Sequence, residues 1–239
     1  MKVEFILTKR GLQTFITCIA LPVFFFLFFS TGAGHSAADK IIVRNYLISM
    51  TAFSSLGLAF FTFPFSLKED QQNNRLKLLR HTPVPIWIYY LAKVTRMLTF
   101  YLVAIIINFC VGHFIRGVDM SIEQWFVSGA LLLFGGLCFL PYGLLLAQMK
   151  SSESMSAIGN LLYIGLAMLG GMWMPLTIFP NWIQTMGKWV PTYHFHELVT
   201  SYLKNGTIFN NSFGILMWYA MITLYILRRI VKSKEISDR

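Results

Sequence analysis

The side chains best able to do chemistry cluster at His194-Phe195-His196-Glu197. Two imidazoles and a carboxylate suit zinc, but a zinc centre takes three or four converging ligands. His35 offers only a distant fourth. On a helix, positions i and i+2 point to different faces. The motif therefore reads as an outside structural or gating element with no metal. Cys18, Cys110 and Cys138 all fall in apolar runs, show no ligand spacing, and read as small apolar residues. The sequence contains no G-x-x-x-x-G-K-[ST], G-x-S-x-G or H-E-x-x-H. No ATPase site and no hydrolytic centre is expected in the chain itself. Asn108, His113, Gln148 and Asn160 remain as neutral polar groups within apolar runs, where hydrogen bonding between helices is the expected role.

The elements that must carry these residues follow from where the charges are. Only 13% of the 239 residues are charged, against about 25% in an ordinary soluble domain. Six windows hold no Asp, Glu, Lys or Arg: 11–38, 45–67, 97–115, 124–149, 154–187 and 205–227. A bilayer-spanning helix needs about 20 mainly apolar residues, so the pattern predicts an all-α polytopic membrane protein with six transmembrane helices. The net charge of +10 fits this topology without a nucleic-acid partner. With the N-terminus in the cytoplasm, 15 of the 20 Lys and Arg residues fall inside, as the positive-inside rule requires. Both termini are thus expected inside, with 1–239 forming one membrane-spanning domain.

Along the chain, residues 2–10 are amphipathic and read as an interfacial helix. Span one is expected near 12–29, kinked at Pro22, and span two near 46–66. The inside segment 67–96 predicts a helical extension, a break at Pro83-Val84-Pro85 and a second short helix over 86–93. Spans three and four are expected at 97–115 and about 125–147. The fifth window is too long for one span and too short for two. Span five is expected to end near Pro175, followed by an outside re-entrant hairpin of short helices over 178–204, where Trp173, Trp182, Trp189 and Tyr193 suit the interface. Span six is expected at about 212–227. Gly135-Gly136 and Gly170-Gly171 would permit close helix packing.

Two motifs carry a family resemblance. After span two stands Leu76-Lys77-Leu78-Leu79-Arg80-His81-Thr82-Pro83-Val84. Between spans five and six stand Gly170-Gly171-Met172-Trp173-Met174-Pro175, Phe179-Pro180-Asn181-Trp182 and Trp189-Val190-Pro191-Thr192-Tyr193-His194. In order and placement they resemble the type-2 permeases of ABC exporters, leaning toward drug-resistance and antibiotic-immunity members. Where that family has Glu-x-Gly, this chain has Gln72-Asn73-Asn74, and Asn tolerates the left-handed turn better than most residues.

The resemblance implies a bacterial plasma-membrane permease with no cofactor of its own, energised by a separate ABC ATPase subunit that binds ATP and Mg, and paired with a second permease chain. It implies ATPase coupling through Leu76, Lys77, Leu79, Arg80, Thr82 and Pro83. It implies an outside gate at Pro175, Pro180, Trp182, Pro191, Tyr193 and His194. Spans two and five would line the pathway, offering Phe53, Phe60, Asn160, Tyr163 and Met168. Charge-free, aromatic-rich spans suit a hydrophobic or amphipathic cargo such as a drug, antibiotic or antimicrobial peptide. The alternatives are a lipid or glycan exporter, or a non-transport assembly or sensor protein.

Overall fold

The computed structural model describes the backbone of residues 2–32, 37–75, 78, 85–208 and 211–237; the side chains of 2–13, 37–38 and 234–237 are outside the description. The described residues form helices joined by short connections, without strands. Helix α1 is Lys2–Ser30. Helix α2 (Ala37–Gly57) runs through a π-helical turn, Leu58–Thr62, into α3 (Phe63–Gln72). Then come α4 (Ile86–Arg116), α5 (Ile122–Leu146) and α6 (Ser152–Leu169). A 3-10 turn (Leu176–Ile178), α7 (Asn181–Gly187), α8 (Pro191–Asn205) and α9 (Asn211–Ser237) complete the chain.

Among the described residues four helical stretches are long and apolar enough to cross a membrane: Asp39–Gln72, Ile86–Arg116, Ile122–Leu146 and Asn211–Ser233. Thr14–Ser30 is a shorter apolar helix. The α2–α3 rod is the centre of the bundle, since 89% of its apolar stretch is buried against 28% in α4 and 11% in α9. It packs against α1, α4, α5, α6 and α8. Leu47, Ile48, Phe53 and Leu56 have no exposed surface.

Charge patterning located the helices and misjudged several of their ends. The amphipathic stretch 2–10 is the beginning of α1, with no break before span one. The short helix expected over 86–93 is likewise the start of α4. A charged residue stops a span from being apolar but does not stop a helix, because Lys and Arg have good helix propensity. Span five ends at Leu169, before Pro175, because Gly171 takes φ +71, a left-handed conformation that glycine adopts without steric cost. The anticipated turn at Gln72-Asn73-Asn74 is present, with Asn74 at φ 53. Helix α5 begins with a capping box: Gln124 N–H donates to Ser121 Oγ at 3.2 Å, and Ser121 N–H to Gln124 Oε1 at 3.1 Å.

The π-turn has a local cause. Phe63 N–H donates to Leu58 O, five residues back, and Pro64 has no N–H to give. The carbonyls of Ala59 and Phe60 thereby lose their usual i+4 donors. They face the two neighbouring helices at glycines: a Cβ on Gly143 of α5 would strike Ala59 O, and one on Gly159 of α6 would lie 3.4 Å from Phe60 O. Phe60 itself turns into the core beside Phe139 and Tyr142, at ring separations of 6.4 and 6.1 Å.

Candidate functional site

Helices α1, α2 and α6, with Trp173 beside them, line a half-open groove with a cavity of about 560 Å3, at whose rim Thr17, Leu21, Asn160 and Ile164 are exposed. One side is an aromatic wall. Tyr163 stacks on Phe53 with centroids 4.3 Å apart and planes 14° from parallel. Phe61 meets Tyr163 edge-on at 5.3 Å, and Trp173 stands perpendicular to Phe53 at 5.5 Å. Phe53 is fully buried and backs the wall. Trp173 is fixed from α2, since the Tyr46 hydroxyl donates to its carbonyl. Thr14, Thr17, Cys18, Asn160 and Tyr163 bring polar groups to its lining, and among the described residues no charged side chain lines it. Such a space can hold an apolar body and offer it a few hydrogen bonds.

Three of the residues expected from sequence meet here: Phe53, Asn160 and Tyr163. Phe60 lies in the core described above, and Met168, 44% exposed, is on the outward side of α6. Asn108 donates to Ala104 O of its own helix at 2.8 Å rather than across helices. His113 pairs at 3.2 Å with the Val118 carbonyl just beyond its helix.

After α6 come the two short helices α7 and α8, and α8 packs among α2, α5, α6 and α9. Phe195 is fully buried against Gly135, where a Cβ would overlap its ring. Thr192 donates to Leu166 O at 2.5 Å and fills the space above Gly170. Gly187 lets α7 approach the end of α6, since a Cβ there would sit 2.6 Å from Leu169 O. Pro175 and Pro180 precede the 3-10 turn and α7, and Pro191 opens α8. Trp182 is exposed, whereas Tyr193 is half-buried with its ring across that of His194. His194 Nδ1 lies 3.2 Å from Ser212 Oγ on α9. Burial lowers the His194 pKa and takes that of His196 down to about 4. Among the described residues no group of three His, Cys, Asp or Glu could hold a metal.

At the other end α3 is held from both sides. Lys68 Nζ donates to Met149 O at 2.5 Å beyond the end of α5, where a cation meets orphan carbonyls. Across from it, Asp70 Oδ2 lies 2.6 Å from Lys93 Nζ of α4. Leu76, Lys77, Leu79, Arg80, Thr82 and Pro83 lie outside the described residues. Sequence reasoning missed Thr14, Thr17, Trp173 and Phe195 as site-forming residues, because nothing in a charge-free run distinguishes an inward apolar position from a lipid-facing one. It also missed Asp70, although Glu69 and Asp70 are the only acids in the basic segment 67–96.

A charge-poor helical bundle built around a buried central rod, with four helical stretches long and apolar enough to cross a membrane among its described residues, is the architecture of a multi-pass membrane protein. The chain belongs to the ABC-2 type transporter family, whose profile matches residues 1–203. It is 30% identical over 218 residues, covering 91% of this chain and 89% of the other, to a protein of Bacillus subtilis (strain 168) named as a candidate transport permease, YvfS.

Proposed function

We propose that the chain is the permease subunit of an ATP-driven exporter that moves a hydrophobic or amphipathic compound, a drug, antibiotic or antimicrobial peptide, out of a bacterial cell. The observation that carries the cargo class is the half-open cavity of about 560 Å3, walled by aromatic rings and with no charged side chain among its described lining residues. An ion would demand charged rings or a carbonyl filter. Energy comes from a separate ATPase subunit that binds ATP and Mg, and a second permease chain completes the pathway. The segment from Leu76 to Pro83 docks the ATPase, and the α7–α8 hairpin closes the outside. Six spans with both termini in the cytoplasm complete the topology.

Inverted membrane vesicles containing the permease and its ATPase accumulate a fluorescent amphipathic compound on addition of ATP. Arg80→Ala removes a charge-assisted contact of about 1.5–3 kcal/mol and, like Pro83→Ala, abolishes accumulation while membrane abundance stays at the wild-type level. Accumulation of hydrophilic sugars alone overturns the cargo class, and full activity in both variants overturns the docking role. The topology has its own measurement. With Cys18, Cys110 and Cys138 replaced, single cysteines at Ser36 and Asn205 react with an impermeant thiol reagent in intact cells, while one at Ser237 does not. Labelling at Ser237 reverses the orientation.

A further inference from the structure

Asp70 sits near the end of α3 with its side chain only 5% exposed. It has three partners. Lys93 Nζ lies 2.6 Å from Oδ2, the Tyr89 hydroxyl donates to Oδ2 at 2.8 Å, and Arg75 Nη1 lies 3.0 Å from Oδ1. Lys93, itself 13% exposed, also donates to Ser66 Oγ at 2.6 Å. Both carboxylate oxygens are used, and the ammonium is shared between Asp70 and Ser66 on α3. A buried ion pair is weak as a source of stability, because desolvation offsets most of the Coulomb attraction. What it supplies is a fixed geometry, with two bonds from α4 meeting one oxygen.

We propose that Asp70 is a positioning residue: with Lys93, Tyr89 and Ser66 it latches the end of α3 to the first two turns of α4. The two helix ends that flank residues 73–85 are thereby tied to each other. Motion applied there reaches the central α2–α3 rod, whose π-turn and aromatic wall border the cavity. The transport consequence rests on the docking role proposed above; the latch itself does not.

The test uses the double-neutral variant Asp70→Asn/Lys93→Met in the assembled transporter. It leaves no unpaired charge at the Asp70–Lys93 contact, so a purely structural ion pair predicts normal behaviour. Spin labels go on cysteines at the exposed Asn73 and Trp87, with the three native cysteines replaced. Expected are wild-type membrane abundance and unfolding midpoint, a widened distance distribution between the labels, and a fall of about tenfold in transport per ATP hydrolysed. An unchanged distribution overturns the latch, and a widened distribution with unchanged transport per ATP overturns its role in transport. Should the double variant fail to fold, Tyr89→Phe removes one bond and no charge; it widens the distribution to a smaller extent, and no widening overturns the proposal equally. Full transport in Arg80→Ala, with a widened distribution and lost transport in the double variant, retains the latch and removes the docking role.

Discussion

Phe195→Ala destabilises the purified permease by about 3–5 kcal/mol, the cost of emptying a large aromatic site in a packed core. Within the bundle this loss is mainly one of van der Waals contact, because lipid is as apolar as the core and helices associate through close fit. The Phe195 ring is fully buried and occupies the space a side chain at position 135 would need. Gly135→Ala alone is therefore destabilising as well. Combining Gly135→Ala with Phe195→Leu recovers part of the loss, since the smaller branched chain vacates the region of the new methyl. Reversible unfolding in mixed detergent gives the four free energies of the cycle. A coupling below about 0.5 kcal/mol, the level expected of independent sites, would show that α8 is not seated on α5 through this contact.

The second large effect concerns transport. Tyr163→Ala lowers ATP-driven uptake of an amphipathic compound into inverted vesicles by about tenfold, equivalent to roughly 1.4 kcal/mol. Tyr163 forms one face of the stacked pair with Phe53 and one edge of the contact with Phe61. Aromatic pairs contribute about 0.5–1.5 kcal/mol beyond their buried area, so loss of the ring removes the wall against which cargo rests. Tyr163→Phe keeps the ring and changes uptake by less than about threefold, since its hydroxyl makes only a long 3.5 Å contact with Phe53 O. Equal losses in the two variants would assign the effect to the hydroxyl, and unaltered uptake in Tyr163→Ala would remove the cavity from the pathway.

The cavity was partly legible before the fold. Phe53, Asn160 and Tyr163 were accessible through family resemblance to spans two and five, and all three line it. Thr14, Thr17 and Trp173 line it too, yet their types are ordinary for a membrane helix and an outer loop. The glycine pairs carried a clearer message. Gly135 and Gly170 mark close approach, as their spacing suggested, but the groups that approach are Phe195 and Thr192 of α8.

By itself the sequence determined the all-helical membrane class, the approximate helix positions and the break into short helices after span five. These follow from one-dimensional quantities: the length of a charge-free run, the distribution of Lys and Arg, and the backbone limits of Pro and Gly. Only the tertiary structure decided that α2–α3 is the buried rod, that α8 enters the bundle and that Phe60 faces the core while Tyr163 borders the cavity. The reason is the solvent. In water, hydrophobic periodicity separates an inward face from an outward one. In lipid both faces are apolar, so Phe on either side costs the same in transfer free energy, and only the fit between helices assigns the inside.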